Sequence, residues 1–569
     1  MSRAFSEQEI NRREALTELR KRGVNPFPPE EFQRTHHSLS AASEFEKDES
    51  ADIEVKLAGR IMSRRIMGKA SFAELQDQEG RIQLYFNRDE LCQGEDKSMY
   101  NEVFKKLLDI GDIVGIEGKV FRTKVGEVSV EVKSFTILSK ALRPLPVVKT
   151  DEEGNKHDAF TDPEQRYRQR YVDLIVNPEV RETFIKRSQV INSMRAFFNQ
   201  KGYLEVETPI LQPIPGGAAA RPFITHHNSL NTDLYLRVAN ELYLKRLIVG
   251  GYEGVYEFAK DFRNEGMDRT HNPEFTVMEI YVAYKDYHWM MNFTEELLEK
   301  VCLDVHGSSK VEFQGKQIDF KAPYRKVPIF DAIKEYTGHD LKTKSEEEIR
   351  QVCKELKIEV DQSMGRGKLI DEIFGEHCEK NFLQPTFIID YPVEMSPLCK
   401  KHREDPTLTE RFELMVNGKE VANAYTELND PIDQLERFQD QLKLSEKGDD
   451  EAMFIDQDFV RALEYGMPPT SGMGIGIDRL VMFLTNNVSI QEVLFFPQMK
   501  PEAKKVELSD SEKVIFNLLK YAGEINLLEL KEKAALSNKQ WDKGMKGLNK
   551  KQLAQVVVEG DDKKVVLKA

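Results

Sequence analysis

The alternation of apolar and polar residues over positions 274–284 predicts a β-strand with two different faces. Because side chains along a strand point to opposite sides in turn, one face is largely apolar and the other carries Phe275, Glu279 and Tyr281. At about 3.3 Å per residue, Phe275 and Glu279 lie about 13 Å apart, which suits a flat base at one end and a small cation at the other. The polar loop that joins this strand to an earlier one carries Arg263, Glu265 and His271. The pattern predicts a nucleotide-binding hairpin, with an ordinary amphipathic hairpin as the alternative.

The same alternation recurs over residues 53–145, where strands with one helix between the third and the fourth resemble an OB barrel. The side chains predicted to face its core are Ala73, Leu75, Ile82, Leu84, Phe86, Val128, Val130 and Val132. The open face is predicted to carry Phe72, Gln83, Tyr85, Glu127 and Ser129. An exposed phenylalanine beside hydrogen-bonding groups suits the stacking and edge reading of single-stranded bases. Ordinary barrels also expose aromatics, so this pattern alone leaves nucleic-acid binding and a plain surface both open.

Helical periodicity dominates much of the rest of the chain. Ser6 and Glu9 have capping-box spacing and begin a helix that ends near Gly23, so residues 1–52 are predicted to form a helix and an extended connection. After a polar turn at 151–162, a large mixed α and β body is predicted over residues 163–500. Its predicted helices cover residues 180–202, 240–250, 288–305 and 345–356.

A small appendix at 507–569 is predicted to follow a linker at 497–506. Helices at 510–521, 527–536 and 538–553, followed by a hairpin, predict a winged-helix-like unit. From position 500 onward the chain has 15 lysines, no arginine and 11 acidic residues, a net charge of +4. An RNA contact and a stabilising appendage with solvated lysines both fit this composition.

Charge and cysteine usage narrow the class of protein. The 569 residues include 82 basic and 97 acidic side chains, a net charge of −15, so a nucleic acid must be held by local surfaces rather than by the field of the whole protein. The five cysteines lack CxxC spacing, which argues against a structural zinc site or a disulfide framework and favours a reducing cytoplasm. The first residues lack an apolar signal segment, and no run approaches the roughly 18 apolar residues that span a bilayer. No membrane role is predicted.

The segment GMGIGIDR (472–479) is not a dinucleotide-binding fingerprint, because Ile477 stands where G-x-G-x-x-G requires its third glycine. It predicts instead a glycine-rich strand that runs into a helix. Bare backbone there allows a ligand to approach closely, and Arg479 offers a planar fork to phosphate.

A second hairpin is predicted around Asn417 and Gly418, the preferred two-residue turn. In that register Glu413 faces Ala422, and Glu413 and Glu420 are diagonal neighbours about 5.5 to 8 Å apart. Two such carboxylates suit Mg²⁺ that bridges nucleotide phosphates, with solvated carboxylates as the alternative. Asn423, Tyr425 and Glu427 share a face opposite to Glu420 in strict alternation, so a single site requires a β-bulge near Ala422.

Three segments together resemble the three motifs of class II aminoacyl-tRNA synthetases: NQKGYLEVETPIL (199–211), FRNEGMDRTHNPEF (262–275) and GMGIGIDR (472–479). With a barrel in front, the chain resembles the subgroup that handles lysine, aspartate and asparagine, and the resemblance extends to Pro497. It implies an α+β multidomain fold, with an antiparallel sheet flanked by helices behind the OB-fold barrel. It also implies an ATP-dependent ligase that forms AMP and pyrophosphate, and a homodimer whose interface uses residues 202–209.

The resemblance further implies roles for the residues that match these motifs. Arg263 and Arg479 would be catalytic. ATP would be bound by Arg263, Glu265, His271, Phe275 and Arg479, with Phe275 stacked on adenine. The amino acid would be bound by Gly217, Glu241, Arg263, Glu279, Tyr281, Asn423 and Glu427. Mg²⁺ would be held by Glu413 and Glu420, and the anticodon would be read by Arg65, Phe72, Gln83 and Glu127.

The residue types of this pocket favour lysine among the three amino acids. A buried ammonium is costly unless it is paired, and the pocket offers Glu279, Glu427 and Tyr281. The predicted reaction joins L-lysine to ATP as an adenylate and then transfers lysine to the 3′ end of tRNA(Lys). The alternatives are a paralogue that lysylates a protein, whose relatives lack the barrel, and a non-catalytic RNA-binding regulatory protein.

Overall fold

A computed structural model of the chain describes residues 5–146, 149–150, 156–157, 160–218, 220–362, 364–446, 455–501, 508–551, 553–559 and 562–567. Parts of the predicted polar turn at 151–162 and of the predicted linker at 497–506 lie outside these residues. The chain divides into two units, Met1–Gln498 and Met499–Ala569. The four-segment division predicted from the sequence is finer than this and stays a prediction.

The first unit begins with two helices, α1 (Glu7–Lys21) and α2 (Ser38–Lys47). The capping box predicted at α1 is present, because Ser6 accepts from the backbone of Glu9 and the Glu9 side chain accepts from the backbone of Ser6. The barrel follows, with β1 (Glu54–Met67), β2 (Ala70–Gln76), β3 (Arg81–Asn87), the short α3 (Arg88–Leu91), a π-helical segment (Met99–Leu107), β4 (Ile113–Arg122) and β5 (Val128–Ser139). The strands close in the order β1-β2-β3-β5-β4, the OB arrangement predicted from the sequence.

Most of the residues predicted for the barrel core are buried. Val128 is only partly buried. Ser129 is the clearest exception on the other face, because it was predicted to be open and is fully buried. Its hydroxyl donates to Gln83 Oε1 at 3.0 Å, and Gln83 lies directly opposite it on β3. A small side chain beneath a long polar neighbour is covered even on the outer face, which alternation cannot reveal.

A short connection leads into the large body. It contains β6 (Lys149–Thr150), β7 (Lys156–His157), α4 (Pro163–Arg168) and α5 (Arg170–Val176). The body continues with α6 (Pro178–Gln200), β8 (Leu204–Glu205), β9 (Leu211–Gln212), β10 (Ile224–His227), β11 (Thr232–Leu236), α7 (Glu241–Val249), β12 (Gly254–Phe262), β13 (Glu274–Ala283) and α8 (Tyr287–His306). The predicted strand pair with its polar loop is therefore β12 and β13.

The second half of the body completes the sheet and its helical cover. Its elements are β14 (Lys310–Phe313), β15 (Lys316–Asp319), β16 (Arg325–Pro328), α9 (Ile329–Thr337), α10 (Glu346–Glu355), α11 (Arg366–His377), β17 (Thr386–Ile389), β18 (Arg411–Val416), β19 (Lys419–Thr426), α12 (Pro431–Glu446), α13 (Gln457–Glu464), β20 (Thr470–Gly476), α14 (Ile477–Leu484) and α15 (Ile490–Val493). The four helices predicted in this body are present as α6, α7, α8 and α10.

An eight-stranded sheet in the order β16-β17-β18-β19-β20-β13-β12-β8 organises the body. Its edge pairs, β16 with β17 and β12 with β8, are parallel, and the other pairs are antiparallel. The face that carries Met278, Ile280 and Val282 packs on helix α8, within the largest apolar core. The opposite face of the central strands is left to carry polar side chains.

The second unit contains α16 (Asp510–Ala522), β21 (Glu524–Asn526), α17 (Leu527–Ala534), α18 (Asn538–Lys550), β22 (Ala554–Glu559) and β23 (Asp562–Leu567). The three helices and the hairpin predicted from the sequence are present, and β21 adds a third strand in the order β21-β23-β22. Within the described part of both units, no helix combines the length and apolar character required to cross a membrane.

Candidate active site

One row of residues crosses five strands on the polar face of the sheet. Glu413 lies opposite Asn423, Asn423 opposite Gly474, Gly474 opposite Glu279, and Glu279 opposite Glu257. Neighbouring strands are about 4.8 Å apart, so the row places Glu413 about 14 Å from Glu279. The candidate metal and amino-acid residues therefore share one surface.

The predicted register of the second hairpin is correct at its turn and wrong further away. Met415 lies opposite Glu420, as predicted, but Glu413 pairs with Asn423 and not with Ala422. The register shifts next to Leu414 and Met415, so the strand β19 has one extra residue there. This is the β-bulge that a single site required.

Three carboxylates line the pocket beside this row. Glu427 is almost fully buried, Glu241 is buried, and Glu279 is half-buried. The Tyr281 hydroxyl donates to Glu279 Oε2 at 2.9 Å, and the Tyr425 hydroxyl donates to Glu241 Oε1 at 2.5 Å. The pocket is strongly acidic.

One cation of the chain already lies among these carboxylates. The Lys245 ammonium is 2.5 Å from Glu241 Oε1 and forms an ion pair with Glu427 Oε2, and the Lys245 side chain is fully buried. Both oxygens of Glu427 are buried without a hydrogen bond of good geometry, and the Lys245 ion pair is formed with Oε2 and not with Oε1. Among the residues that the structure describes, no Lys, Arg or His forms an ion pair with Glu279.

Burial raises the pKa of Glu279 and of Glu427. The pKa of Glu427 is raised to about 8 by burial, although Lys245 acts to lower it. The pKa of Glu279 is raised well above its ordinary value by burial and by the charge of Glu241. A guest that brings a positive charge would relieve both shifts, because an opposite charge favours the ionised carboxylate.

Two glycines of β20 create the room for these side chains. A Cβ on Gly472 would overlap Glu427 Oε1 and Tyr281 Cε1, and a Cβ on Gly474 would lie 2.6 Å from Glu279 Oε1. The bare backbone predicted for this strand therefore accommodates the pocket carboxylates. Gly217 lies at the same pocket, since its own Cβ would be 3.4 Å from Glu241 Cβ.

A positively charged side chain, Arg263, lies just after the end of β12. The Arg263 guanidinium lies 5.2 Å from the centre of the Phe275 ring, and its buried Nε has no hydrogen-bond partner. No ion pair of Arg263 is seen within the described residues. An unpaired guanidinium above an aromatic ring suits an anion beside a flat base. Glu265 and His271 lie on the exposed loop between β12 and β13, where His271 Nδ1 is 2.9 Å from Asp268 Oδ2.

Glu413 and Glu420 each contact an arginine. Arg411 is 2.6 Å from Glu413 Oε1, the Tyr391 hydroxyl donates to Glu413 Oε2, and Arg479 is 3.4 Å from Glu420 Oε2. Burial and the nearby charge of Glu420 raise the pKa of Glu413 to about 7 against the effect of Arg411. Mg²⁺ is commonly held by one or two carboxylates together with substrate phosphates, so this pair fits the ion. In the described part of the chain, no cluster of three or more potential metal ligands is present.

Comparison with known proteins agrees with this geometry. The sequence model of the class II tRNA synthetases (D, K and N) matches residues 162–500, and the model of an OB-fold nucleic acid binding domain matches residues 55–138. The lysine–tRNA ligase of Christiangramia forsetii is 66% identical over 557 residues, which cover 98% of this chain and 97% of that protein. Those of Porphyromonas gingivalis strain W83 and of Azobacteroides pseudotrichonymphae are 67% and 63% identical, and each covers 88% of this chain, with 86% and 99% of their own lengths matched.

The chain belongs to the class II tRNA synthetases of the D, K and N group. The matched range of this synthetase family contains every residue predicted to bind ATP, the amino acid or Mg²⁺. The OB-fold range contains the four residues predicted to read the anticodon. The individual roles of these residues stay predictions.

The four barrel residues form two contacting pairs on one surface of the synthetase. Arg65 lies opposite Phe72 on the neighbouring strand, with its guanidinium 5.3 Å from the Phe72 ring centre. Gln83 Nε2 donates to Glu127 Oε2 at 2.7 Å. Tyr85, whose ring centre is 5.3 Å from that of Phe72, adds a second aromatic side chain.

Sequence reasoning missed Lys245, Arg411 and Tyr391 as parts of the synthetase site. For Lys245 a signal was present, because Glu241 and Lys245 are four residues apart on a predicted helix and such pairs face each other. Arg411 stands two residues before Glu413 on the same strand, so alternation places the two on one face. Tyr391 lies in a loop, and no local pattern marked it.

Proposed function

We propose that this chain is a lysine–tRNA ligase. It activates L-lysine with ATP to lysyl-adenylate and pyrophosphate, and then transfers the lysyl group to the 3′ end of tRNA(Lys). The single observation that carries the choice of amino acid is the acidic pocket, where Glu279 and Glu427 Oε1 lack a cationic partner. The names of the related ligases support the same choice.

The amino acid is oriented by charge at both of its ends. Its side-chain ammonium pairs with Glu279 and Glu427 and donates a hydrogen bond to the Tyr281 hydroxyl oxygen. Its α-amino group lies near Gly217 and Glu241. Its carboxylate points to Arg263 and Asn423. Aspartate would bring a negative charge to the same carboxylates and would be rejected, because like charges in a poorly solvated site repel strongly.

Activation requires no nucleophile from the protein. A carboxylate oxygen of lysine attacks the α-phosphorus of ATP, the bond to the bridging oxygen breaks, and pyrophosphate leaves with the electron pair. Arg263 and Arg479 stabilise the negative charge that builds on the phosphate oxygens, and the pocket holds the two reactants in line. Phe275 supplies a surface for the adenine base.

Magnesium is part of this proposal. Glu413 and Glu420 would hold the ion, which when bound supplies positive charge to the phosphates of ATP. Arg411 positions Glu413, since their 2.6 Å contact holds the carboxylate on the site's face. Arg479 contacts Glu420, so the nucleotide residue and the metal residue are next to each other before ATP arrives.

Transfer to tRNA uses the second binding surface. A ribose hydroxyl at the tRNA 3′ end attacks the carbonyl carbon of lysyl-adenylate, and AMP leaves. The barrel face with Phe72 and Gln83 would select the anticodon by stacking and hydrogen bonding. A protein-lysylating paralogue is disfavoured, since the barrel that such relatives lack is present at residues 55–138.

The proposal includes a homodimer in the cytoplasm. Residues 204–214 expose four large apolar side chains, Leu204, Ile210, Leu211 and Ile214. Clustered exposed apolar side chains of this kind mark protein interfaces. Light scattering of the purified chain should give twice the monomer mass of 65.7 kDa, and a monomer at micromolar concentration would contradict the dimer.

The decisive experiment is ATP–pyrophosphate exchange with each proteinogenic amino acid in turn. Lysine alone is expected to support rapid exchange, and Glu279→Gln should remove most of it. Glu312→Gln, at an exposed position of β14, is the matched control and should leave exchange intact. Exchange with aspartate or asparagine would refute the lysine assignment. If none of the amino acids supports exchange, a non-catalytic RNA-binding protein would be favoured.

A further inference from the structure

Four lysines form one stripe along the helix α18 of the second unit. Lys539, Lys543, Lys546 and Lys550 follow each other at steps of four, three and four residues. At 3.6 residues per turn their directions fall within about 60° of one another, and at 1.5 Å per residue the stripe is about 16 Å long. All four side chains are exposed. We call these four residues the lysine stripe.

The face of α18 opposite the lysine stripe packs against the rest of the second unit. Trp541, Gly544 and Leu548 of α18 are buried, and a Cβ on Gly544 would lie 2.7 Å from Ile515 Cδ1 of α16. An ion pair of 2.7 Å between Lys551 and Glu512 joins the same two helices. Glycine inside a helix is less stable than alanine, and the close packing at Gly544 explains its presence. The helix is therefore held with the lysine stripe facing solvent.

The stripe lysines have no acidic partner among the described residues, a property that they share with Lys520 and Lys531 but not with four other lysines of the unit. Lys513, Lys533, Lys551 and Lys564 each form an ion pair, whereas the structure shows none between the lysine stripe and any described residue. Residues 500–569 carry a net charge of +4 within a chain of −15. A concentrated positive surface thus occurs on an otherwise acidic protein, which suits a local contact with a polyanion.

The residues beside the stripe indicate which polyanion fits. Gln540, Asp542 and Asn549 flank it, so it lacks the apolar border by which a helix enters a membrane interface. It also lacks the aromatic anchors typical of protein interfaces. Lysine binds phosphate as a point charge, and phosphate contacts position a nucleic acid without reading its sequence.

We propose that the lysine stripe binds the phosphodiester backbone of the tRNA that the chain aminoacylates. This rests on the proposed function for the identity of the RNA. The stripe adds affinity that is independent of base sequence, and the barrel face supplies the selection. α18 is the third helix of a three-helix unit with a hairpin, and helices in such units commonly lie against nucleic acid.

The test compares two full-length variants with equal changes of charge. In the stripe variant Lys539, Lys543, Lys546 and Lys550 are replaced by Gln; in the control variant Lys513, Lys520, Lys531 and Lys533 of α16 and α17 are replaced by Gln. The Kd for unmodified tRNA(Lys) is measured between 50 and 200 mM KCl. Each phosphate contact contributes about 0.7 to 0.9 to the slope of log Kd against log salt, so the stripe variant should lose about 3 from this slope if all four lysines bind. Its affinity at the lowest salt should fall about tenfold or more, and the control should change by less than about threefold.

Two results would overturn the proposal. Unchanged affinity and slope in the stripe variant would exclude tRNA as the partner. This would hold even if the same variant bound anionic lipid vesicles less tightly than the unmodified protein. Equal losses in both variants would show that only the overall charge matters. Lysine-dependent ATP–pyrophosphate exchange needs no tRNA, so it should be normal in both variants. If the unmodified protein showed no lysine-dependent exchange, the proposed ligase function would be refuted. The tRNA-binding measurements would still test the lysine stripe.

Discussion

The buried ammonium of Lys245 forms an ion pair with the buried carboxylate of Glu427, although 182 residues separate them along the chain. The same ammonium contacts Glu241. One internal lysine therefore offsets part of the negative charge of the pocket. Glu279 and the second oxygen of Glu427 have no cationic partner among the described residues. The pocket can therefore pair with one more positive charge.

Lys245→Met should destabilise the protein by about 3 to 5 kcal/mol, because removal of one partner leaves buried carboxylates uncompensated. The pKa of Glu427 is already raised to about 8 in the unmodified protein, and loss of the Lys245 charge raises it further, so the extra cost of this carboxyl group grows as pH rises above about 8. The loss should therefore be larger at about pH 9.5 than at about pH 7.5, which urea midpoints at the two pH values would show. Lys326→Met removes the same charge from an exposed position and should be close to neutral. A loss independent of pH would contradict the electrostatic origin.

Lysine binding should release protons near neutral pH. The pKa of Glu427 is raised to about 8 and that of Glu279 is raised by burial, so the free pocket is partly protonated at pH 7. A bound ammonium lowers both pKa values. Affinity for lysine should fall by up to about tenfold per pH unit below pH 8. Calorimetry in two buffers of different ionisation enthalpy should report release of about one proton, and proton uptake would contradict the pairing.

Gly472→Ala should impair lysine use, since the new Cβ would overlap Glu427 and Tyr281. Overpacking of this kind costs about 1 to 3 kcal/mol, which corresponds to about fivefold to 150-fold in kcat/KM for lysine in the exchange assay. Gly476→Ala on the same strand is the matched control, because its nearest neighbour would be Arg479 Cβ at 3.9 Å. Equal effects of the two substitutions would show that the strand backbone, and not the pocket, requires glycine.

Strand alternation predicted the part of this site that lies on β13. Phe275, Glu279 and Tyr281 share a face because a regular strand has a period of two, and no contact outside the strand is needed to know it. The turn at Asn417 and Gly418 was predicted equally well, since both residues have positive φ as such hairpins require. Short-range geometry sufficed in both places.

The rest of the site depends on contacts between distant segments. The bulge in β19 moves Glu413 opposite Asn423, and the turn fixes the register only for the pairs next to it. Lys245 meets Glu427 because α7 packs against β13, a tertiary arrangement that no local pattern encodes. Ser129 is buried for a similar reason, since its cover comes from Gln83 on another strand.

Phe72→Ala should separate the two half-reactions. The Phe72 ring lies between Arg65 and Tyr85 on the barrel face, and loss of a stacked base costs about 1 to 3 kcal/mol. The kcat/KM for charging of tRNA(Lys) should fall about tenfold or more, with lysine-dependent exchange unchanged. Tyr465→Ala, at an exposed aromatic of the synthetase body, should affect neither assay. Equal losses in both assays for Phe72→Ala would contradict the division of labour.

Arg263→Ala should abolish lysine-dependent exchange while leaving the fold intact. The guanidinium forms no ion pair within the described residues and its buried Nε has no partner, so its removal breaks no such pair. Loss of a group that stabilises charge in the transition state costs about a hundredfold or more. Arg263→Lys keeps the charge but loses the planar fork, so it should recover only a small part of the rate. Arg34→Ala, at an exposed arginine that forms no ion pair with the described residues, controls for charge alone. Near-normal exchange in Arg263→Ala would refute the role of Arg263, and a large drop in urea midpoint would show that Arg263 is structural.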